Sequence, residues 1–426
     1  MSRSLFADFG LLRRNRDFRS VFVARTISLL GLGMLAVALP LQLHTLGGDS
    51  LTIGLALALD GVGTFVGLLL GGVLADRHER RRLILFARSV CGIGFALLAA
   101  NAWLPAPSLV AICALSAWDG FFGGIGVTAL MAAMPAIVGR ENLMQARALS
   151  MVTMRLATVV APAAGGALIA AAGVGWCYAA AAAGTGLTLL PLLRLPRMPP
   201  QGGDDEHPLR ALAGGLRYLV TNPVVAGTGL AGTVVTLATA VRVLFPTLAD
   251  GFGIAPALAA GLMYAAVPLG ATLGALVSGW TVALRRPGLA MLVIGVALCA
   301  CVLLLGVVPG LVPALVLLVL LGYLVSVASL LQYALVQGHT PDRYLGRVNG
   351  LWSAQEAAGD AAGTLGVGLL GRLLPAAGAI AFTGALTACL GLALLACCGR
   401  LRAAPLHPVP PAPAPGPEHA SVADAA

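Results

Sequence analysis

The arginines of this chain fall almost entirely into every second gap between about twelve apolar stretches, and that alternation admits few folds. A helix needs about 20 mostly apolar residues to cross a bilayer, and windows of this kind run from 19–41 through to 376–399. The clusters lie at Arg3, Arg13, Arg14, Arg16 and Arg19; at Arg77, Arg80, Arg81, Arg82 and Arg88; at Arg140 and Arg147; at Arg194, Arg197, Arg210 and Arg217; at Arg285 and Arg286; at Arg343 and Arg347; and at Arg400 and Arg402. Positive residues are retained on the cytoplasmic side of a membrane, so these loops and both termini read as cytoplasmic and the number of spans is even. Twelve meets both conditions. Composition leaves no soluble alternative, because 59% hydrophobic residues cannot be hidden behind 10% charged ones.

Other classes drop out in turn. The net charge of +9 comes in short clusters between spans, without the continuous basic face or motif that nucleic acid requires. An intramembrane enzyme needs a nucleophile with a base, or metal ligands, inside the spans, yet His44, His78, His207, His339, His407 and His419 read as loop, span-end or tail residues. The eight cysteines sit in or at the end of apolar runs without CxxC or His-paired spacing, so no metal and no disulfide is expected. Ala36-Val37-Ala38 after an Arg-rich start resembles a cleavage site, but eleven further spans argue for an uncleaved first helix.

The longest polar interruption, PRMPPQGGDDEHPLR, suits an exposed connector. It sets the expected organisation: residues 1–18 a cytoplasmic N-terminus, 19–195 a six-helix bundle, 196–219 a cytoplasmic loop, 220–399 a second six-helix bundle, and 400–426 a Pro/Ala-rich disordered tail. The halves echo one another: Gly54, Gly67 and Gly72 recur about 207 residues later as Gly261, Gly274 and Gly279, and Gly139-Arg140 recurs as Gly346-Arg347. Such a parallel repeat is typical of two-bundle transporters. Glycines spaced as in GLLLG from Gly67, GFFGG from Gly120 and GDAAG from Gly359 predict close helix contacts, either static or able to rock.

The segment GGVLADRHERRR from Gly71 resembles the signature between helices two and three of the major facilitator superfamily, with Gly72, Asp76, Arg77 and Arg80 as its conformational residues and Glu79 where the family usually has glycine. In the fifth span, Ala161-Pro162-Ala163-Ala164-Gly165-Gly166 resembles that family's antiporter motif, although Ala161 replaces its leading glycine. Pro162, Gly165 and Gly166 would bend and thin that helix at a bundle contact, unless they form only a packing kink. Arg140 and Arg347 complete the expected gating set. Within the superfamily, FVARTISLLGLGMLAVALP, WDGFFGGIGVTALMAAMPAIVGRENLMQA, AVRVLFPTLAD and SLLQYALVQGHTPDRYLGRVNGLWSAQ are similar to the enterobactin exporters of Gram-negative bacteria, a likeness running from about Leu11 to Arg400. It includes Trp118-Asp119-Gly120, where many facilitator antiporters carry an arginine.

Charge inside a bilayer is costly enough, about 2.5 to 3.5 kcal/mol on insertion scales, to make intramembrane ionisable groups functional candidates. Asp60, Asp119, Glu356 and Asp360 are the proton-coupling candidates, with Asp119 and Asp360 preferred and Glu356 and Asp360 sharing a face at i and i+4. A fixed interhelical ion pair, for example with Arg25 or Arg155, is the structural alternative for each acid. An aromatic, acidic substrate would use rings and cations: Trp118, Phe121, Phe122, Tyr264, Tyr333 and Trp352 for stacking, Arg25, Arg155 and Arg242 for charge, and Gln42, Gln332 and Gln355 for hydrogen bonds. The resemblance implies an all-α, multi-pass protein of the bacterial inner membrane with two six-helix bundles. It implies proton-driven antiport of a catecholate siderophore, with no cofactor beyond the proton gradient and no nucleic-acid partner. An outer-membrane partner stays unknown, and export of a drug or another small molecule on the same fold is the alternative.

Overall fold

The computed structural model describes residues 12, 14–139, 142–196, 198 and 221–405, with backbone only at 76, 342–347, 349 and 350. Most of the expected connector and tail, together with Arg140, lie outside the described residues. The N-terminal half comprises α1 (Arg16–Thr45), α2 (Ser50–Arg77), α3 (Arg80–Ala102), α4 (Leu109–Val138), α5 (Leu143–Ala172) and α6 (Val174–Leu192). The C-terminal half comprises α7 (Pro223–Thr239), α8 (Pro256–Val277), α9 (Pro287–Leu305), α10 (Leu311–His339), α11 (Asp342–Leu373) and α12 (Ala376–Cys397). Ten of these spans among the described residues are long and apolar enough to cross a membrane. The other two are α6, diluted by alanine and glycine, and α11, which carries Glu356, Asp360 and Arg372.

Helix starts follow local chemistry. Asn15, Asp49, Ser108 and Asn222 accept a backbone N–H from the first turn of α1, α2, α4 and α7 with their side chains. Gly139 and Gly173 close α4 and α5 with φ of 77° and 90°, a backbone region in which a side chain would clash. The chain stays packed a little beyond the expected end of the second bundle: Leu401 and Ala404 are buried, and Leu401 lies against Gly227 and Gly288.

The helices that carry Asp60 and Asp119, α2 and α4, cross through glycine. A Cβ at Gly67 would run into the Phe121 carbonyl oxygen, and one at Gly124 would meet the Thr64 carbonyl oxygen at 2.6 Å. The repeat reproduces the crossing in the second half, where a Cβ at Gly274 would meet the Tyr323 carbonyl oxygen of α10 at 2.9 Å. Gly71, whose Cβ would lie 2.8 Å from the Ile125 Cα, provides the close approach expected of Gly72; a Cβ at Gly72 would meet nothing within 4 Å.

The repeat also defines how the halves join. Gly54 of α2 lies against Thr364 and Gly368 of α11, and its counterpart Gly261 of α8 lies against Pro162 and Gly166 of α5. The Pro162–Gly166 segment is thus an inter-half contact, with Gly165 packed on Met34 of α1. At the same end His44 Nε2 lies 2.7 Å from Asp250 Oδ2, and Arg372 Nε lies 3.4 Å from Asp49 Oδ2. One buried apolar cluster spans both halves there, including Leu43, Ile53, Leu244 and Met263. Toward the arginine-bearing face the core separates into one cluster in the first half, around Phe18, Ile84 and Leu149, and two in the second, around Leu335 and Val348. The halves are sealed at one face and part toward the other.

Backbone contact at the α2–α4 crossing makes it sensitive to volume. Gly67→Leu is expected to lower the thermal midpoint of the purified protein, at a cost of about 1–3 kcal/mol for overpacking. Gly123→Leu, where a Cβ meets nothing within 4 Å, serves as the control and is expected to leave the midpoint in place. Equal effects would rule out this crossing as a determinant of packing.

Candidate functional site

Between Thr239 and Pro256 the α-helix gives way to a 3-10 turn at Ala240–Leu244, then a short α-turn in which Pro246 lacks an N–H. The altered winding places Arg242 at the junction of the halves, and Tyr264 of α8 donates its hydroxyl to the Arg242 carbonyl oxygen at 2.8 Å. That bond satisfies a backbone acceptor which no water could reach in lipid. The Arg242 guanidinium donates from Nη1 and Nη2 to the two carboxylate oxygens of Asp360 on α11, both at 2.7 Å, a planar two-point pair. The fixed ion-pair alternative for Asp360 is therefore present, with Arg242 as the partner instead of Arg25 or Arg155.

Asp60, ten residues into α2 and so about 15 Å from its start, lies across the interface within electrostatic reach of both Arg242 and Asp360. Asp119, ten residues into α4, is buried and within electrostatic reach of Asp60 and Arg88. The α2–α4 glycine crossing holds the two aspartates together: a Cβ at Gly120 would run into the Asp60 backbone. Glu356 does not join them. It accepts a hydrogen bond from Trp352 Nε1 at 3.1 Å while Asp360 is held by Arg242, so the i, i+4 carboxylates have separate partners.

The other candidates distribute unevenly. Trp118, Phe121 and Phe122 cluster on α4, with ring centroids 4.8 Å apart for Trp118–Phe122 and 5.0 Å for Phe121–Phe122, and Trp118 Nε1 donates to the Val90 carbonyl oxygen at 3.1 Å. Tyr333 and Trp352 pair at 6.3 Å, and Gln355 Nε2 donates to Thr233 Oγ1 at 2.9 Å. Gln332 is buried against Gly232 in a small apolar recess of the second half. Gln42 is buried between α1 and α6, accepting the Tyr178 hydroxyl at 2.9 Å. Arg25 and Arg155 are half-buried on α1 and α5.

Of the loop candidates, Arg77 is exposed and Arg80 is buried. Arg81 donates to the Leu193 carbonyl oxygen, which ties the start of α3 to the end of α6, and Glu79 pairs with Arg82 at 2.8 Å. Nothing is described of the side chains of Asp76 and Arg347. Outside the spans, Asp49 caps α2; the hydrogen bonds from the Thr52 hydroxyl and N–H, helped by Arg372, hold its carboxyl below the usual range.

Sequence reasoning placed Arg88 in a loop cluster, whereas α3 begins at Arg80 and carries Arg88 two turns inward. The signal was available: the arginine lies five residues beyond the apolar start at Leu83, farther than a loop residue would. The inter-half pairs His44–Asp250 and Asp49–Arg372 had no comparable signal, because their partners are distant in sequence.

The Major Facilitator Superfamily model matches residues 21–364. The enterobactin exporter EntS of Shigella boydii serotype 18 (strain CDC 3083-94 / BS512) is 50% identical over 372 residues, covering 87% of this chain and 89% of that protein. The enterobactin exporter EntS of Citrobacter koseri is 48% identical over 400 residues, covering 94% and 96%. Among solved structures, the nucleoside transporter NupG superposes with a TM-score of 0.70 at 14% identity, covering 89% of this chain and 98% of that one. A bacterial homolog of the human lysosomal transporter Spinster, inward-facing and unoccupied, superposes with a TM-score of 0.69 at 14% identity, covering 93% and 97%. The last two likenesses concern the fold alone. The chain belongs to the Major Facilitator Superfamily.

A two-point ion pair within a span should be coupled in stability. Asp360→Asn is expected to lower the thermal midpoint by leaving Arg242 uncompensated, and the double variant Asp360→Asn with Arg242→Gln is expected to regain part of the loss. Additive losses in the double variant would show that the two residues are not coupled in stability.

Proposed function

We propose that this superfamily member exports a catecholate siderophore of the enterobactin type. The single observation that carries the reading is its 48–50% identity to enterobactin exporters over 87–94% of the chain. The likeness extends through loops as well as spans, which a shared fold alone does not require.

The geometry fits export. By the positive-inside rule the arginine-bearing face is cytoplasmic, so both termini lie in the cytoplasm of a bacterial inner-membrane protein. The halves are then sealed at the periplasmic side and part toward the cytoplasm, the state in which an exporter loads its cargo. Export follows when the halves rock about the Asp60–Arg242–Asp360 junction and exchange the seal from one face to the other. The proton gradient drives the cycle through acids at that junction, because protonation alters the charge facing Arg242 and so biases the two states. Asp60 and Asp119, neither paired with a cation within 4 Å among the described residues, are the acids placed to change protonation without breaking the Arg242–Asp360 pair. No cofactor is needed.

A siderophore-producing strain lacking its own exporter tests this directly. Supplying this chain is expected to restore intact enterobactin in the medium, and a proton uncoupler is expected to abolish the restoration. Asp60→Asn should still insert in the membrane but lose at least about tenfold of the secretion rate, the scale on which removing a positioned proton-transfer group acts. Secretion that this chain leaves unchanged would discard the substrate assignment, and full activity of Asp60→Asn would remove Asp60 from coupling.

A further inference from the structure

Charge in the interior of this protein is unevenly divided between two neighbouring groups. At the junction of the halves, Asp60 and Asp360 face one guanidinium, that of Arg242, and the group is short of positive charge. Within the first half, Arg88 of α3 lies within electrostatic reach of Arg25 of α1 and of Asp119, and the group is short of negative charge. Protonation of Asp119 would only widen that second imbalance.

Depth rules out a solvent explanation for the two arginines. Arg25 lies nine residues into α1 and Arg88 eight into α3, or about 12–14 Å from the arginine-bearing face at 1.5 Å per residue. That is near the middle of a hydrocarbon core about 30 Å thick. Neither guanidinium has a carboxylate within 4 Å among the described residues, and both are half-buried. Arg242, which charge alone would offer to an acidic substrate, is already committed at both nitrogens to Asp360.

We infer that Arg88, with Arg25 as the second charge, forms an anion-binding site inside the first half, and that an acidic aromatic group of the substrate supplies its missing negative charge. A guanidinium presents two parallel N–H donors, the geometry that adjacent catechol oxygens or a carboxylate accept. Asp119 competes with that anion for Arg88, so it acts as a positioning residue that tunes affinity. The inference rests on the siderophore reading only for the identity of the natural anion.

Binding measured by calorimetry on the purified full-length protein, with enterobactin and with salicylate as a minimal aromatic anion, tests it. Arg88→Gln is expected to weaken salicylate binding by at least about tenfold, the loss of one charge-assisted contact, and Arg88→Lys to recover part of it. Asp119→Asn is expected to tighten it, an opposite sign that a merely destabilised fold would not give. Salicylate affinity within about twofold of wild type in Arg88→Gln, or weakened in Asp119→Asn, overturns the site. Wild-type protein that binds salicylate through Arg88 but ignores enterobactin keeps the anion site and removes the siderophore reading. Enterobactin binding indifferent to all three variants does the reverse.

Discussion

Close approach of helix backbones is the constraint on which this structure depends. In lipid there is no water to squeeze out between helices, so association rests on contact itself, and contact is greatest where side chains are missing. The α2–α4 crossing is built that way: backbone atoms of one helix occupy the space a Cβ would fill at Gly67, Gly120 and Gly124 of the other. The crossing does more than pack. It brings Asp60 and Asp119 together in the interior, where like charges add to the cost of burying each, and it presents Asp60 to the opposite half. The seal between the halves uses the same device at Gly54 and Gly261, two positions related by the internal repeat.

On that scaffold the electrostatics are arranged by broken helix geometry. The 3-10 turn ahead of Pro246 turns Arg242 to Asp360, and Tyr264 caps the carbonyl of the same residue, so the second half contributes a pre-formed ion pair to the junction. The first half contributes acids and arginines without such closed pairs. A transporter needs this asymmetry: a group whose charge is already balanced has no reason to exchange a proton or an anion. The apolar core, continuous at one face and divided at the other, gives the two halves room to move relative to each other about the junction.

Fold and topology were legible because they are written in periods longer than a helix turn. Alternating arginine clusters give the number of spans, and the glycine repeat at a spacing of about 207 residues gives two halves. Packing partners were less legible. Gly71, next to the motif glycine, makes the contact, and only the rotation of α2 about its axis separates the two. Arg88 was hidden by its nearness in sequence to the loop arginines Arg80, Arg81 and Arg82, with which it was grouped although the apolar run starts five residues before it. Gln42 looked like a site residue because it is a polar group in an apolar run; its partner Tyr178 lies 136 residues away and no local pattern announces it. The Arg242–Asp360 pair, 118 residues apart, was invisible for the same reason, although both members stood out individually.

The central claim is that substrate and proton movements are coupled through two charge groups on either side of the junction. Purified protein in liposomes, with a pH-sensitive dye in the lumen and labelled enterobactin on one side, measures both fluxes at once. The account predicts that an imposed proton gradient drives enterobactin uphill in the opposite direction, and that enterobactin moving down its own gradient carries protons the other way. Enterobactin crossing at the same rate with the gradient collapsed, and with no change in lumenal pH, would contradict it.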